Sequence, residues 1–94
     1  MRHIRIAVKE KEYDAYQETL CTQDLILIKA EHGYVMCGYL NREAAEKFGD
    51  IAVVATGVSD VEGMLEKQAV WVSSQAKNRG VEEGMLVKDL LEKL

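Results

Sequence analysis

At 94 residues, 10.6 kDa, 48% hydrophobic and 30% charged, with no proline, the chain has the size of a single domain over residues 1–94, with one core and no separate catalytic unit. Twelve Lys and Arg against sixteen Asp and Glu give a net charge of −4. The one basic cluster (Arg2, Arg5, Lys9, Lys11) is interrupted by Glu10 and Glu12, which argues against nucleic acid as a partner. No apolar run approaches the roughly 18 residues of a membrane span and the first residues read as a strand rather than a signal peptide, so no membrane partner and a cytoplasmic location are expected.

Ile4, Ile6 and Val8 alternate with Arg5, Ala7 and Lys9, a period of two that predicts a strand with one wet side. A polar turn, Lys9-Glu10-Lys11-Glu12, follows. Tyr13 to Leu20 fits two patterns: Tyr13, Tyr16 and Leu20 suit helical spacing, whereas Tyr and Thr favour a strand. A strand is the expectation, because it completes a meander. Leu25-Ile26-Leu27-Ile28 is apolar on both faces, as an interior strand covered on each side would be. A tight turn at Glu31-His32-Gly33, centred on His32-Gly33, then joins it to a second apolar strand over Tyr34–Leu40.

From residue 41 helices alternate with strands. Asn41 is a predicted N-cap and Gly49 a C′ glycine. Ile51–Ala55 is a continuous apolar strand. Ser59 and Glu62 have capping-box spacing ahead of a short helix carrying Val61, Met64 and Leu65. Ala69–Val72 is the last strand, Ser73 or Ser74 caps a helix that stops at Gly80, and Val87, Leu90, Leu91 and Leu94 mark a terminal amphipathic helix. The sum is an α+β or α/β fold: one mixed sheet of about six strands, hairpins first, covered by about four short helices.

Two places could carry chemistry. Cys37 is expected mid-strand between Met36 and Gly38, where a glycine lets another backbone or a ligand come close. As a thiolate nucleophile or redox thiol it would need a neighbouring base or cation, and His3, His32, Lys29 and Arg42 are the possible sources. A free cysteine is more often a small buried apolar side chain. The second place is Ala55-Thr56-Gly57-Val58-Ser59-Asp60, where a buried strand ends and a helix begins. Thr56, Gly57 and Ser59 there could meet a small anionic ligand beyond the carboxyl end of the strand. No glycine-rich phosphate fingerprint supports this, Asp60 would repel an anion, and a plain capped turn explains the same residues.

His3, Cys21, His32 and Cys37 are spaced too irregularly to predict a metal site, and no cofactor is indicated. Two cysteines do not make a disulfide scaffold and are expected to be reduced thiols. Glu82, Glu83, Asp89 and Glu92 read as a solvated acidic face, and Tyr34 and Tyr39 as strand aromatics of the core or a subunit contact.

The run Glu31-His32-Gly33-Tyr34-Val35-Met36-Cys37-Gly38-Tyr39-Leu40, followed by Val54-Ala55-Thr56-Gly57-Val58 and closing with Ala76-Lys77, Gly80-Val81 and Gly84-Met85, resembles the YunC-like family of small uncharacterised prokaryotic proteins. The resemblance covers roughly residues 24–94, while residues 1–23 match only in being strand-like. It implies a compact α/β domain and carries no established activity.

Two functions remain open at this level. One is a cytoplasmic module that self-associates into a homo-oligomer and binds a ligand or a protein, since a fold this small has a thin core that association would support. The other is a thiol-dependent enzyme with Cys37 as nucleophile and Thr56 and the Gly57 backbone as an oxyanion cradle. Both require the segments around residues 27, 37 and 53 to lie side by side.

Overall fold

The computed structural model describes all 94 residues. The opening alternation forms β1 (Arg2–Val8), and the ambiguous stretch after it belongs to β2 (Lys11–Leu20). Helical spacing loses there because Tyr13 and Ala15 are both buried, on one face of a strand, with Asp14 turned to the other side. Lys9 and Glu10 make the turn between them with φ of 51° and 69°, left-handed at two positions usually given to Asn-Gly. Lys9 Nζ holds this tip through Asp89 Oδ1 at 2.7 Å.

The meander continues through β3 (Gln23–Lys29) to β4 (Tyr34–Met36). Ala30 N–H donates to Gly33 C=O at 2.8 Å, so Glu31 and His32 form the tip, one residue earlier than expected. Gly33 serves a different purpose from turn geometry. A β-carbon there would collide with the Ile51 carbonyl oxygen, and only glycine permits the approach. The strand ends at Met36 rather than Leu40, because Leu40 N–H bonds back to Cys37 C=O at 3.2 Å and turns the chain over Gly38 and Tyr39.

In α1 (Arg42–Lys47), Asn41 Oδ1 accepts from Ala44 N–H at 3.0 Å. Its end is a Schellman motif: Gly49 at φ +72°, Asp50 N–H on Ala45 C=O and Gly49 N–H on Glu46 C=O. The chain then enters β5 (Ala52–Val54), α2 (Val61–Leu65) and β6 (Trp71–Val72). Asp60, not Ser59, caps α2, accepting from Gly63 N–H at 2.6 Å. Ser73 caps α3 (Ser74–Lys77) and, fully buried, also donates to Asp50 C=O at 2.7 Å and accepts from Ala52 N–H at 3.0 Å. One hydroxyl thereby ties the start of β5 to the end of β6. Val81 N–H closes α3 on Ala76 C=O past Gly80 at φ +87°. The terminal apolar run is α4 (Val87–Leu90) and one 3-10 turn over Leu91–Lys93.

The six strands lie in the order β1-β2-β3-β4-β5-β6, antiparallel throughout except for β4 and β5, which are parallel. The register aligns Ile4, Ala15, Ile28, Val35, Val53 and Val72 as one row across the sheet. Against this face α2, α3, α4 and the chain end bring Val61, Met64, Ala76, Leu90, Leu91 and Leu94, all buried. The next row, His3, Tyr16, Leu27, Met36, Val54 and Trp71, points the other way. There α1 covers only the far end, with the Arg42 guanidinium 6.0 Å from the Trp71 ring centre and Glu46 accepting from Ser74 N–H. Leu25 and Leu27 are therefore half-buried where cover on both sides is expected, and Tyr16 and Met36 share that exposure.

Arg2, Arg5 and Lys11 are exposed on β1 and β2, and Arg5 and His3 both reach Asp14, at 2.9 and 2.8 Å. Tyr34 is half-buried and donates to Asp50 Oδ2 at 2.6 Å. Burial, and then the Asp50 carboxylate, raise its pKa well above the ordinary phenol value.

The two faces predict different costs for neighbouring residues. Ile28→Ala is expected to lose about 2–5 kcal/mol in urea unfolding, and Leu27→Ala less than half of that; equal losses would mean that the second face is as well packed as the first. Tyr34→Phe is expected to cost about 1–2 kcal/mol at neutral pH. Because the folded pKa of Tyr34 is raised, its contribution is complete below about pH 10 and fades as pH rises through the folded value. Unfolding followed against pH should show the variant losing less stability on the alkaline side than the parent.

Candidate functional site

The parallel pairing of β4 with β5 sends both carboxyl ends to the same edge of the sheet, and β3, antiparallel to β4, begins at that edge. Three chain segments therefore meet: Gln23 and Asp24 opening β3, Cys37, Gly38 and Tyr39 leaving β4, and Thr56, Gly57 and Val58 leaving β5. They line an open cleft of about 390 Å³. The two candidate places, which only the thiol-enzyme reading joined, lie side by side, with Gly38 and Thr56 in contact range: a β-carbon on Gly38 would stand 3.7 Å from Thr56 Cγ2.

Cys37 sits at the floor, 5% exposed, at the first residue of the turn rather than mid-strand. Its Sγ accepts from Ile26 N–H at 3.4 Å, and its S–H faces Asp24 C=O at 3.9 Å. None of its expected partners comes to it: His3, Lys29, His32 and Arg42 are all absent from the lining, and no other cation lines the cleft. His3 instead stacks on Tyr16 at 5.0 Å between ring centres, and His32 holds the β3–β4 tip, its N–H donating to Leu94 C=O at 2.7 Å. No three His, Cys, Asp or Glu side chains converge as a metal cluster.

Thr56 is exposed and Gly57 has φ +72°, a conformation that favours glycine. Ser59 lies outside the lining; its carbonyl accepts from Gln17 Nε2 at 3.2 Å. The positive end of α2 is taken by the Asp60 carboxylate, so a ligand would not find it free. The uncommitted donors lie elsewhere. The backbone N–H groups of Gly38, Tyr39, Thr56, Gly57 and Val58 donate to no acceptor within the protein, and they come from both turns that face the cleft.

Four contributors lay beyond the sequence reading: Gln23, Asp24 and Tyr39, which line the cleft, and Gln17, which reaches it only through Asp24. Asp24 is half-buried, and its Oδ2 accepts from Gln17 Nε2 at 2.7 Å. With its two N–H bonds committed to Asp24 and Ser59, the Gln17 amide leaves Oε1 buried and unpartnered. Tyr39, 48% exposed, stands at the lip rather than in the core. The one sequence signal for Asp24 was a charged residue immediately before an apolar strand, which becomes a site feature only once the strand order is known.

Over residues 36–94 the chain matches the family model described as "Domain of unknown function (DUF1805)". It is 26% identical over 93 residues to the uncharacterized protein YunC of Bacillus subtilis (strain 168), covering 95% of this chain and 92% of that protein. The crystal structure of a protein of unknown function, TA1206 from Thermoplasma acidophilum, shares 35% identity and a TM-score of 0.93, over 99% of this chain and 91% of that one. The likeness thus runs through the first three strands as well, beyond the residues 24–94 on which the resemblance rests. The chain belongs to the DUF1805 family.

Proposed function

We propose that this protein is a small self-associating module that binds a small ligand in the cleft at the carboxyl ends of β4 and β5. The observation that carries this reading is the convergence of two turns, Cys37-Gly38-Tyr39 and Thr56-Gly57-Val58, with five backbone N–H groups that the protein leaves unused. Ligands in sheets of this kind bind outside the carboxyl ends of parallel strands, and the cleft volume falls in the range of small-molecule sites. Gly57, Gly38 and Thr56 form its ligand-facing wall. Ser59 acts indirectly, through the carbonyl that holds Gln17.

Self-association is supported by the incompletely covered second face, where Tyr16, Leu27 and Met36 form a half-buried apolar row bordered by Arg5, Asp14 and Lys29. The occupant we assign to it is a second copy of the chain, since apolar residues with both signs of charge beside them suit an isologous contact. Two free thiols, Cys21 exposed and Cys37 buried, suit a reducing compartment, and we place the protein in the cytoplasm.

Thiol chemistry is the second reading, favoured by one observation: Cys37 lines the same cleft as Thr56 and Gly57. It lacks the base or cation that would activate a nucleophile. We therefore read Cys37 as a packing thiol that shapes the cleft floor.

A panel of small metabolites screened by thermal unfolding should contain compounds that raise the melting temperature. Gly38→Leu, which fills the cleft, should abolish that rise, whereas Gly38→Ala should keep both fold and binding. A parent protein that no compound stabilises, or a Gly38→Leu variant that responds as the parent does, removes the binding reading. Sedimentation should show a dimer or larger, reduced to a monomer by Leu27→Lys; a parent that sediments as a monomer ends the self-association reading. Cys37 should be alkylated by iodoacetamide no faster than the chain unfolds, and Cys37→Ala should still bind. Rapid alkylation of the folded protein would instead favour the thiol enzyme.

A further inference from the structure

One charge, Asp24, lines the cleft and an opposite one, Lys67, stands just outside the lining beside the Gly57 turn, and neither is paired within the protein. Asp24 is half-buried, and its carboxylate receives only the neutral Gln17 amide; no Lys, Arg or His pairs with it. At the Thr56-Gly57 end, Lys67 Nζ lies 3.8 Å from where a β-carbon on Gly57 would stand, and Lys67 likewise belongs to no ion pair. A half-buried carboxylate without a cation is unfavourable and would gain from a charged donor. A purely anionic ligand, the expectation from the glycine turn alone, would meet Asp24 as well as Lys67.

We propose that the ligand is a small zwitterion of the amino-acid class, with its carboxylate at the Thr56–Val58 turn beside Lys67, its ammonium on Asp24, and its side chain against Tyr39. The unused N–H groups of Thr56, Gly57 and Val58 would donate to the ligand carboxylate, with Lys67 adding the charge. The free oxygen of Asp24, not taken by Gln17, would accept from the ammonium. Gln17 is a positioning residue: its Nε2 donates both to Asp24 and to the Ser59 carbonyl, which ties Asp24 to the chain that follows the Thr56–Val58 turn. Tyr39, turned outward at the lip, offers a ring surface that the core does not use. Glycine at position 57 lets the turn adopt φ +72° and leaves the space in front of Lys67 open.

This inference rests on the binding reading above and is tested separately from it. The probes are L-phenylalanine, phenethylamine and 3-phenylpropionate, which share a body and differ in which charge they keep, together with the remaining common amino acids. Binding is read by isothermal titration and by amide chemical shifts. At least one amino acid should bind and perturb the amide signals of Gly38, Thr56 and Gly57, and for L-phenylalanine either half-molecule should bind about 10-fold more weakly. Asp24→Asn should erase the advantage of the ammonium and spare that of the carboxylate, while Lys67→Met should do the reverse. Lys67 is exposed and Asp24→Asn keeps an oxygen to accept from Gln17, and the melting curves of both variants serve as the folding control. The proposal fails if 3-phenylpropionate binds as tightly as L-phenylalanine, if Asp24→Asn weakens both half-molecules equally, or if no amino acid binds. If an anion or an uncharged compound from the metabolite panel binds in the cleft while every amino acid fails, the binding module stands and only its zwitterionic ligand is lost.

Discussion

One strand pairing departs from the rest of the sheet, and the position of the cleft depends on it. Antiparallel neighbours place consecutive turns at opposite edges, so a meander alone would have sent the chain leaving β4 and the chain leaving β5 to different sides. Parallel pairing of Tyr34–Met36 with Ala52–Val54 requires a crossover, which α1 and its glycine-terminated end supply between residues 37 and 51. The crossover returns the chain to the edge where β4 began, close enough that Gly33 and Ile51 touch through backbone. At the opposite edge both strands release their last residues together, beside the opening of β3.

The same arrangement divides the molecule into unequal faces. The side carrying Ile28, Val35 and Val53 is closed by short helices and by the C-terminal leucines, whose packing replaces the length these helices lack; isolated pieces of four or five residues would not hold in water. The opposite side is closed at β5 and β6 by α1 and left wetter over the first four strands. Stability and interaction are thus separated by strand parity: a one-residue change of register would exchange the two sets of side chains.

Much of this was readable from residue order, because it depends on near neighbours. Asn41, Gly49, Ser73 and Gly80 act within one helical turn of themselves, and each does what its type and spacing imply. The six-strand count and the adjacency of the segments near 27, 37 and 53 followed from apolar runs bounded by turn residues. The misreadings share a cause. Tyr34 to Leu40 is apolar enough for a long strand, yet Cys37 begins a turn, since hydropathy does not report where hydrogen bonding to β3 ends. Ser59 and Asp60 can both cap a helix, and the choice fell to Asp60 where the Ser59 carbonyl accepts from Gln17, 42 residues away in sequence. Asp24 gained its place in the cleft only from strands that fold beside it later in the chain.

The β1–β2 tip holds two residues in a conformation that L-amino acids resist, exposed and without glycine, and the Lys9–Asp89 ion pair reaches it from α4. Such a clasp is solvent-screened, so added salt slackens it. The outer ribbon can then fray from this tip while the buried rows remain intact, an opening confined to one hairpin.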